Sequence, residues 1–229
     1  MASMTVGNAT YAGLDDLPQV VPLFVLPGAI LLPRSHMPLN VFEPRYTAMI
    51  DSALRTDRMI GVIQPQFDTS DEELAGRPKL CTVGCMGRIT GFQESGDGRY
   101  LITLSGVSRF ELRGELEERA PFRRGHVDPT RFASDLKTGL GEDDVDRELL
   151  LSTLKEYLSV NDLEADWDSV NSASTEVLVN ALCMMSPYGP KEKQALLETE
   201  NLKVRADTLI ALAEVELARG NGGAGSTLQ

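Results

Sequence analysis

The chain has 229 residues, 42% of them hydrophobic and 24% charged, an ordinary balance for a globular protein long enough to bury a core. Its formal charge of −12 is uneven: residues 142–229 carry 17 acids against 7 bases, whereas residues 1–141 carry 17 against 15. The acidic half disfavours a phosphate backbone or an anionic membrane as main partner, and three cysteines (Cys81, Cys85, Cys183) are too few for a disulfide-stapled scaffold.

Residues 1–19 are small and polar with no clear period, and a flexible extension is expected there. No Lys or Arg precedes Arg34, and Asp15 and Asp16 stand where a basic leader region would be. With an odd number of thiols, this favours a reducing, cytoplasmic setting. Residues 17–33 are uncharged, but Pro18, Pro22, Pro27 and Pro33 would break a membrane-spanning helix repeatedly. Val21 to Val25 is predicted as a strand buried on both faces, Pro27-Gly28 as a turn and Met37 to Phe42 as a second strand. Pro44 suits the first position of a helix, where its missing N–H costs nothing. Tyr46, Met49, Ile50, Ala53 and Leu54 then fall on one face of that helix.

Met59 to Ile63 is the next predicted strand, and residues 66–79 a polar, acidic loop. Leu80 to Phe92 and Arg99 to Gly106 form a hairpin through the segment Glu94 to Gly98. Phe110 to Leu116 alternates as a further strand. About six strands with one helix inserted after the second predict a small closed or half-closed β-barrel over residues 20–136, not a parallel α/β sheet. Helical periods replace alternation past Gly141: Leu150, Leu154, Tyr157 and Leu158; then Val177, Leu178, Ala181, Leu182 and Met185; then Leu202, Ala206, Leu209, Ile210, Ala213 and Leu217. Ser174 or Thr175, and Asn201, suit helix starts. The expectation is an α+β chain: a barrel, a helical bundle over 142–219 and a disordered Gly-rich tail over 220–229.

Several chemistries lack residues to perform them. No Gly-Lys pair exists for a phosphate loop, and the GxGxxG match from Gly220 to Gly225 has no strand before it. His36 and His126 are the two histidines. A hydrolase built on either is the enzymatic alternative, but no G-x-S-x-G elbow supports it. Cys81 and Cys85 would share a strand face yet stand about 13 Å apart, too far for one metal unless Gly84 opens a bulge. Glu142, Asp143, Asp144 and Asp146 open a helix, where they complement its dipole. Two surface groups remain. Arg119, Arg123, Arg124 and Arg131 around Pro121-Phe122 are either solvated or paired with the acidic helices, or a contact patch for an acidic partner, and Cys183-Met184-Met185 beside Pro187-Tyr188 is either helix core or an adaptable Met-rich contact. No cofactor or metal is called for.

The stretch PLFVLPGAILLPRSHMPLNVFEPRYTAMIDSAL resembles the start of the Lon-protease N-terminal domain, especially its free-standing form. The blocks Leu23 to Gly28, Met37 to Tyr46, Val83 to Ile89, Leu104 to Phe110 and Lys193 to Glu198 agree in order, and the resemblance covers about residues 20–219. It implies a β-barrel of PUA-like fold followed by a helical bundle. It also implies recognition of polypeptides without catalysis, since the ATPase and peptidase parts of the full enzyme have no counterpart here. Unfolded polypeptide or a specific protein partner is therefore expected, in proteolysis, quality control or an adaptor role. RNA binding through the PUA-like barrel is the alternative. Candidate contacts are Leu31, Leu32, Pro33, Met37 and Pro38, in or beside an apolar loop between two strands, with Glu43, Arg45 and Tyr46 at the helix start. The competing reading of Leu31 and Leu32 is that they plug the barrel.

Overall fold

A computed structural model describes residues 3–67, 76–117 and 120–223. Two compact units result: residues 1–138 with 187–198, and residues 139–186 with the chain from Thr199 onward.

The first unit opens with an antiparallel hairpin, β1 (Met4–Val6) and β2 (Ala9–Tyr11), turned at Gly7. Strands β3 (Val20–Val25) and β4 (His36–Val41), helix α1 (Pro44–Leu54), and strands β5 (Met59–Pro65), β6 (Leu80–Glu94), β7 (Tyr100–Glu115) and β8 (Arg123–Asp128) follow. Their pairing runs β4-β7-β6-β5-β3-β8, and a further β7–β8 pairing closes a five-stranded barrel. The closure depends on the length of β7: residues 100–105 pair with β4, and residues 111–115 pair with β8. β3 and β5 are parallel, because β4 and α1 carry the chain across between them. Phe110, Val21, Met86 and Val107 fill the interior, each fully buried.

Residues 3–19 are not the flexible extension their composition suggested. Met4, Val6, Tyr11 and Leu17 are buried in the same core cluster as the barrel strands. Their alternating spacing in so short a hairpin is too brief to register as a period. The runs 99–106 and 110–116 are one strand, and β8 was not anticipated, since its sequence Arg123-Arg124-Gly125-His126-Val127-Asp128 offers one large apolar residue.

One further helix, α5 (Pro190–Glu198), groups with the barrel and not with the other helices. Buried polar links explain why. The Gln64 side-chain carbonyl accepts from the Gly28 N–H at 2.9 Å, and its amide donates to Pro190 O and to Gln194 Oε1, both at 3.0 Å. Gln194 donates in turn to Val83 O at 3.0 Å and Glu198 at 2.7 Å. Arg109, 1% exposed, donates to Asp135 through Nε (2.9 Å) and Nη2 (2.8 Å) and to Leu197 O through Nη1 (3.0 Å). Among the described residues no buried side-chain nitrogen or oxygen lacks a partner.

The second unit contains α2 (Arg147–Val160), α3 (Trp167–Ser172), α4 (Thr175–Met185) and α6 (Leu202–Gly223), with α6 packed on α2 and α4. Asp146, Asp166, Ser174 and Asn201 accept backbone N–H groups at the helix starts, as residues of their type do. Arg147 reaches the carbonyls of Val170 and Ala173 at 3.0 and 2.8 Å, capping the end of α3. Arg205 donates to Asn180 at 2.9 Å, both buried. α6 runs to Gly223, past the start of the expected disordered tail; residues 224–229 lie outside the described residues. Among the described residues no helix is long and apolar enough to cross a membrane.

Candidate functional site

The apolar loop between β3 and β4 does not face outward. Leu31 and Leu32 are 0% exposed, and Pro33 and Met37 are buried. The loop is pressed against β6 and β7 at two glycines. A Cβ on Gly106 would lie 2.0 Å from the Leu32 carbonyl oxygen, and one on Gly87 would lie 2.6 Å from Leu31 Cδ2. Arg34, at φ 64°, bends the chain there. Its N–H bonds Gly106 O, and Gly106 N–H bonds Ser35 O, both at 2.9 Å. Leu31, Leu32, Pro33 and Met37 are therefore core residues and not contact residues. Leu31 and Leu32 are buried where Gly87 and Gly106 leave the strand backbone bare.

Pro38 is exposed, and it borders a shallow groove of about 550 Å³ with Leu39, Asn40, Gly91, Phe92, Gln93, Leu101, Ile102 and Thr103. Phe92 and Leu101 are 40% and 43% exposed, enough for a large apolar side chain to contribute contact area. The groove lies along β4, β7 and the end of β6, and β4 is an edge: among the described residues β7 is its sole strand neighbour. The Gly106–Ser35 bond sets the alternation of the ladder, so Met37, Leu39 and Val41 bond β7 while His36, Pro38 and Asn40 turn their main-chain groups outward. Pro38 has no N–H to offer, which leaves an edge with donors at His36 and Asn40 and a gap between them.

Glu43, Arg45 and Tyr46 belong to a different place. Glu43 precedes α1 and holds Arg45, with Nε and Nη2 at 2.9 and 2.8 Å from one carboxylate oxygen. The Arg45 guanidinium lies 4.6 Å above the Tyr46 ring. Tyr46 is buried, packs 4.3 Å from Phe24 and donates its hydroxyl to Val25 O at 3.2 Å. Burial pushes the Tyr46 hydroxyl pKa up, opposed by the positive charges of Arg45 and Arg123. Arg45 and Tyr46 line a cleft of about 200 Å³ with Leu23, Val25, Gly76, Arg77, Leu116 and residues 120–124. Arg123 grips Glu115 with two nitrogens at 2.7 and 2.5 Å, and Arg77 reaches the same carboxylate at 3.2 Å. The candidate residues thus divide among the core, the groove and the cleft.

Of the arginines around Pro121-Phe122, Arg123 and Arg124 line the cleft, while Arg131 pairs with Glu111 at 3.5 Å and lies 5.2 Å from the Phe132 ring. Arg119 lies outside the described residues. Phe92, Leu101 and Arg77 were missed in the sequence. The one signal was Leu101, an apolar residue on the more polar face of its strand.

His36 Nδ1 is 2.8 Å from Ser105 Oγ, but Ser105 is 3% exposed and its oxygen also bonds Thr90 at 2.7 Å. A hydroxyl so placed cannot meet a substrate. His126 is an exposed residue of β8. Cys81 and Cys85 are buried free thiols on β6, whose register shifts against β7 at Gly87 and Gly91 and against β5 between Leu80 and Gly84. Burial pushes the Cys81 and Cys183 thiols up to about 11 and about 12, so neither is a ready nucleophile. Among the described residues no three His, Cys, Asp or Glu side chains form a metal-holding group.

The family described as the ATP-dependent protease La (LON) substrate-binding domain matches residues 20–214. Lon protease 2 of Myxococcus xanthus is 30% identical over 207 residues, 86% of this chain and 24% of that protein. Lon protease of Parabacteroides distasonis is 30% identical over 213 residues, 89% of this chain and 25% of that protein. The chain thus spans about a quarter of the length of these relatives. Among solved structures, the Lon N-terminal domain protein from Xanthomonas campestris superposes with a TM-score of 0.56 at 22% identity, covering 84% of this chain and 97% of that one. The N-terminal domain of the Mycobacterium avium complex Lon protease gives 0.57 at 17% identity, covering 85% and 98%.

Proposed function

This chain belongs to the Lon substrate-binding domain family, and we propose on that premise that it binds extended polypeptide along the β4 edge and its groove, without chemistry of its own. The observation that carries this is the apolar groove beside an edge strand that has, among the described residues, no strand on its outer side. Main-chain hydrogen bonds at His36 and Asn40 would hold an added strand with little regard to its sequence. The exposed side chains of Leu101, on the face shared with Pro38 and Asn40, and of Phe92, on the opposite face, would supply affinity on either side of an added strand, and Pro38 would keep the edge from pairing along its whole length with another copy. Native proteins seldom offer a free extended segment, so the partner is a polypeptide in an unfolded or locally unfolded state.

The test is calorimetric titration with one protein in two forms, native and permanently unfolded by reduction and carboxymethylation, at two salt concentrations. Binding of the unfolded form only, surviving the higher salt, is expected. Substituting Phe92→Ala with Leu101→Ala should weaken it about tenfold or more, since burial of two such side chains contributes about 3 kcal/mol. Melting should move little, because both positions are surface positions. Equal binding of native and unfolded forms, or binding indifferent to the double substitution, overturns the reading.

A further inference from the structure

Helix α4 belongs to the second unit and takes no part in the β4 groove. Its inward arc is buried through Leu178, Val179, Asn180 and Cys183. At about 100° per residue, Met184, Val177, Ala181 and Met185 fall side by side on the other arc. Val177 is 50% and Met185 79% exposed, and Ala181 and Met184 are half-buried. No polar residue of α4 stands on that stripe: Glu176 and Asn180 are buried, and Thr175 is half-buried in the first turn. A surface helix ordinarily turns charged and polar groups to solvent. α2 does so with Glu148, Ser152, Lys155 and Glu156, and α6 with Lys203, Asp207 and Glu214, all exposed. An outward face that is apolar along a whole helix marks a contact surface.

We propose that this stripe docks a cationic amphipathic helix of a partner protein, with its apolar residues against α4 and its lysines or arginines at the margins. Charge selects that occupant. The unit carries 15 acids against 5 bases, and residues 220–229 add no charged side chain. Four of those bases are engaged inside it. Arg147 caps α3, Lys155 lies 5.1 Å over the Trp167 ring, Lys203 pairs with Asp207 at 2.6 Å, and Arg205 bonds Asn180. Carboxylates stand at the start of α4: Glu142 accepts the Glu176 N–H at 2.9 Å, and Asp143 and Asp144 next to it are exposed. Asp166 and Asp168, also exposed, open the short helix that leads into α4. A second copy would set this negative unit against itself, and an anionic membrane is repelled for the same reason. An extended chain is the poorer fit too, because the main-chain groups along the side of a helix are spent within it, so only side-chain packing can hold the occupant. The 11 residues of α4 span about 16 Å, which a partner helix of three or so turns would cover. Methionine at two of the four stripe positions suits a contact that adapts to varied apolar side chains. The inference stands apart from the β4 reading, since it uses another unit and another class of ligand.

The test is fluorescence anisotropy of the full chain with three labelled peptides, each about four turns long if helical. The first places Leu at i, i+3, i+4 and i+7 with Lys elsewhere. The second replaces its Lys by Glu, and the third has the composition of the first with the leucines spread around the helix. Each is titrated against the wild type and the Val177→Ser/Met185→Ser protein, whose two sites are exposed enough to spare the fold. Should that variant melt early, Met185→Ser alone serves. The striped Lys peptide is expected to bind at least about tenfold more tightly than either control, gaining helicity by circular dichroism. Its lead over the Glu peptide should narrow as salt is added, and the double substitution should weaken it about tenfold. Equal binding of the striped and spread peptides overturns the proposal, since charge alone would then account for it. Equal binding of the Lys and Glu peptides overturns it, as does affinity undiminished in a folded variant or no binding up to about 1 mM. A dimer seen by sedimentation and abolished by Met185→Ser overturns it by giving the stripe to a second copy. Binding of carboxymethylated, unfolded protein that is lost in the double variant overturns it by giving the stripe to extended chain.

Discussion

Arg109 and the arginines of the cleft carry the same group on the same unit, and only their surroundings separate an enclosed side chain from a solvated one. Arg109 is enclosed: its guanidinium bonds both oxygens of Asp135 and the Leu197 carbonyl, and lies 4.3 Å over the Phe132 ring. Its backbone N–H also donates to Asp135 at 3.0 Å. Such an arginine ties β7, the turn at 130–136 and α5 together and offers nothing outward. Arg45 and Arg77 each have one carboxylate partner and a largely wet side chain. The comparison teaches that an arginine's role is decided by how many of its donors the fold itself consumes.

The sharpest way to break that contrast is to remove Asp135. An Asp135→Ala substitution leaves the Arg109 charge buried without its counter-ion, a change that costs about 3–5 kcal/mol. At about 2–4 °C per kcal/mol for a chain of this size, the melting temperature should fall on the order of 10 °C. A variant that melts like the wild type would mean that Arg109 finds water when its partner is gone. Next in size is Leu31→Ala. Emptying a site 0% exposed should cost about 2–5 kcal/mol, with binding of unfolded polypeptide retained by whatever remains folded at low temperature. A Leu31→Ala protein of unchanged stability and lost binding would return the loop to the surface and undo the assignment of the groove.

That loop shows where sequence reasoning stopped. The barrel, the inserted helix at Pro44 and the later helices were legible, because alternation, a first-turn proline and a 3.6-residue period are local signals. Burial of Leu31 and Leu32 was not, since it depends on Gly87 and Gly106 more than fifty residues away, whose missing side chains make the space. The cleft was half legible. Arg123 and Arg124 stand out beside Pro121-Phe122, but Arg45 and Arg77 reach the same opening only through the pairing of β3 with β5 and β8. Phe92 escaped because the last apolar residue before a hairpin turn looks like any other strand end. The β1–β2 hairpin escaped because three-residue strands are shorter than any period that could announce them.

The smallest expected effect concerns the carboxylate that the cleft arginines share. Hydrogen bonding to Arg123, with help from Arg77, holds the Glu115 pKa below its ordinary value. A carboxylate depressed by folding contributes stability above its unfolded pKa, about 4.3, and loses that contribution as the pH falls through its folded value. Stability of the wild type should therefore be indifferent to Glu115 ionisation near neutrality and decline below about pH 4. Replacing Glu115 by Gln should shallow that acid limb while costing no more than about 1 kcal/mol at neutral pH, because the pair is partly solvated. Denaturant unfolding of both proteins between about pH 3 and pH 7 reads the difference. An acid limb of equal slope in the two would place the depression of Glu115 in the unfolded chain as well.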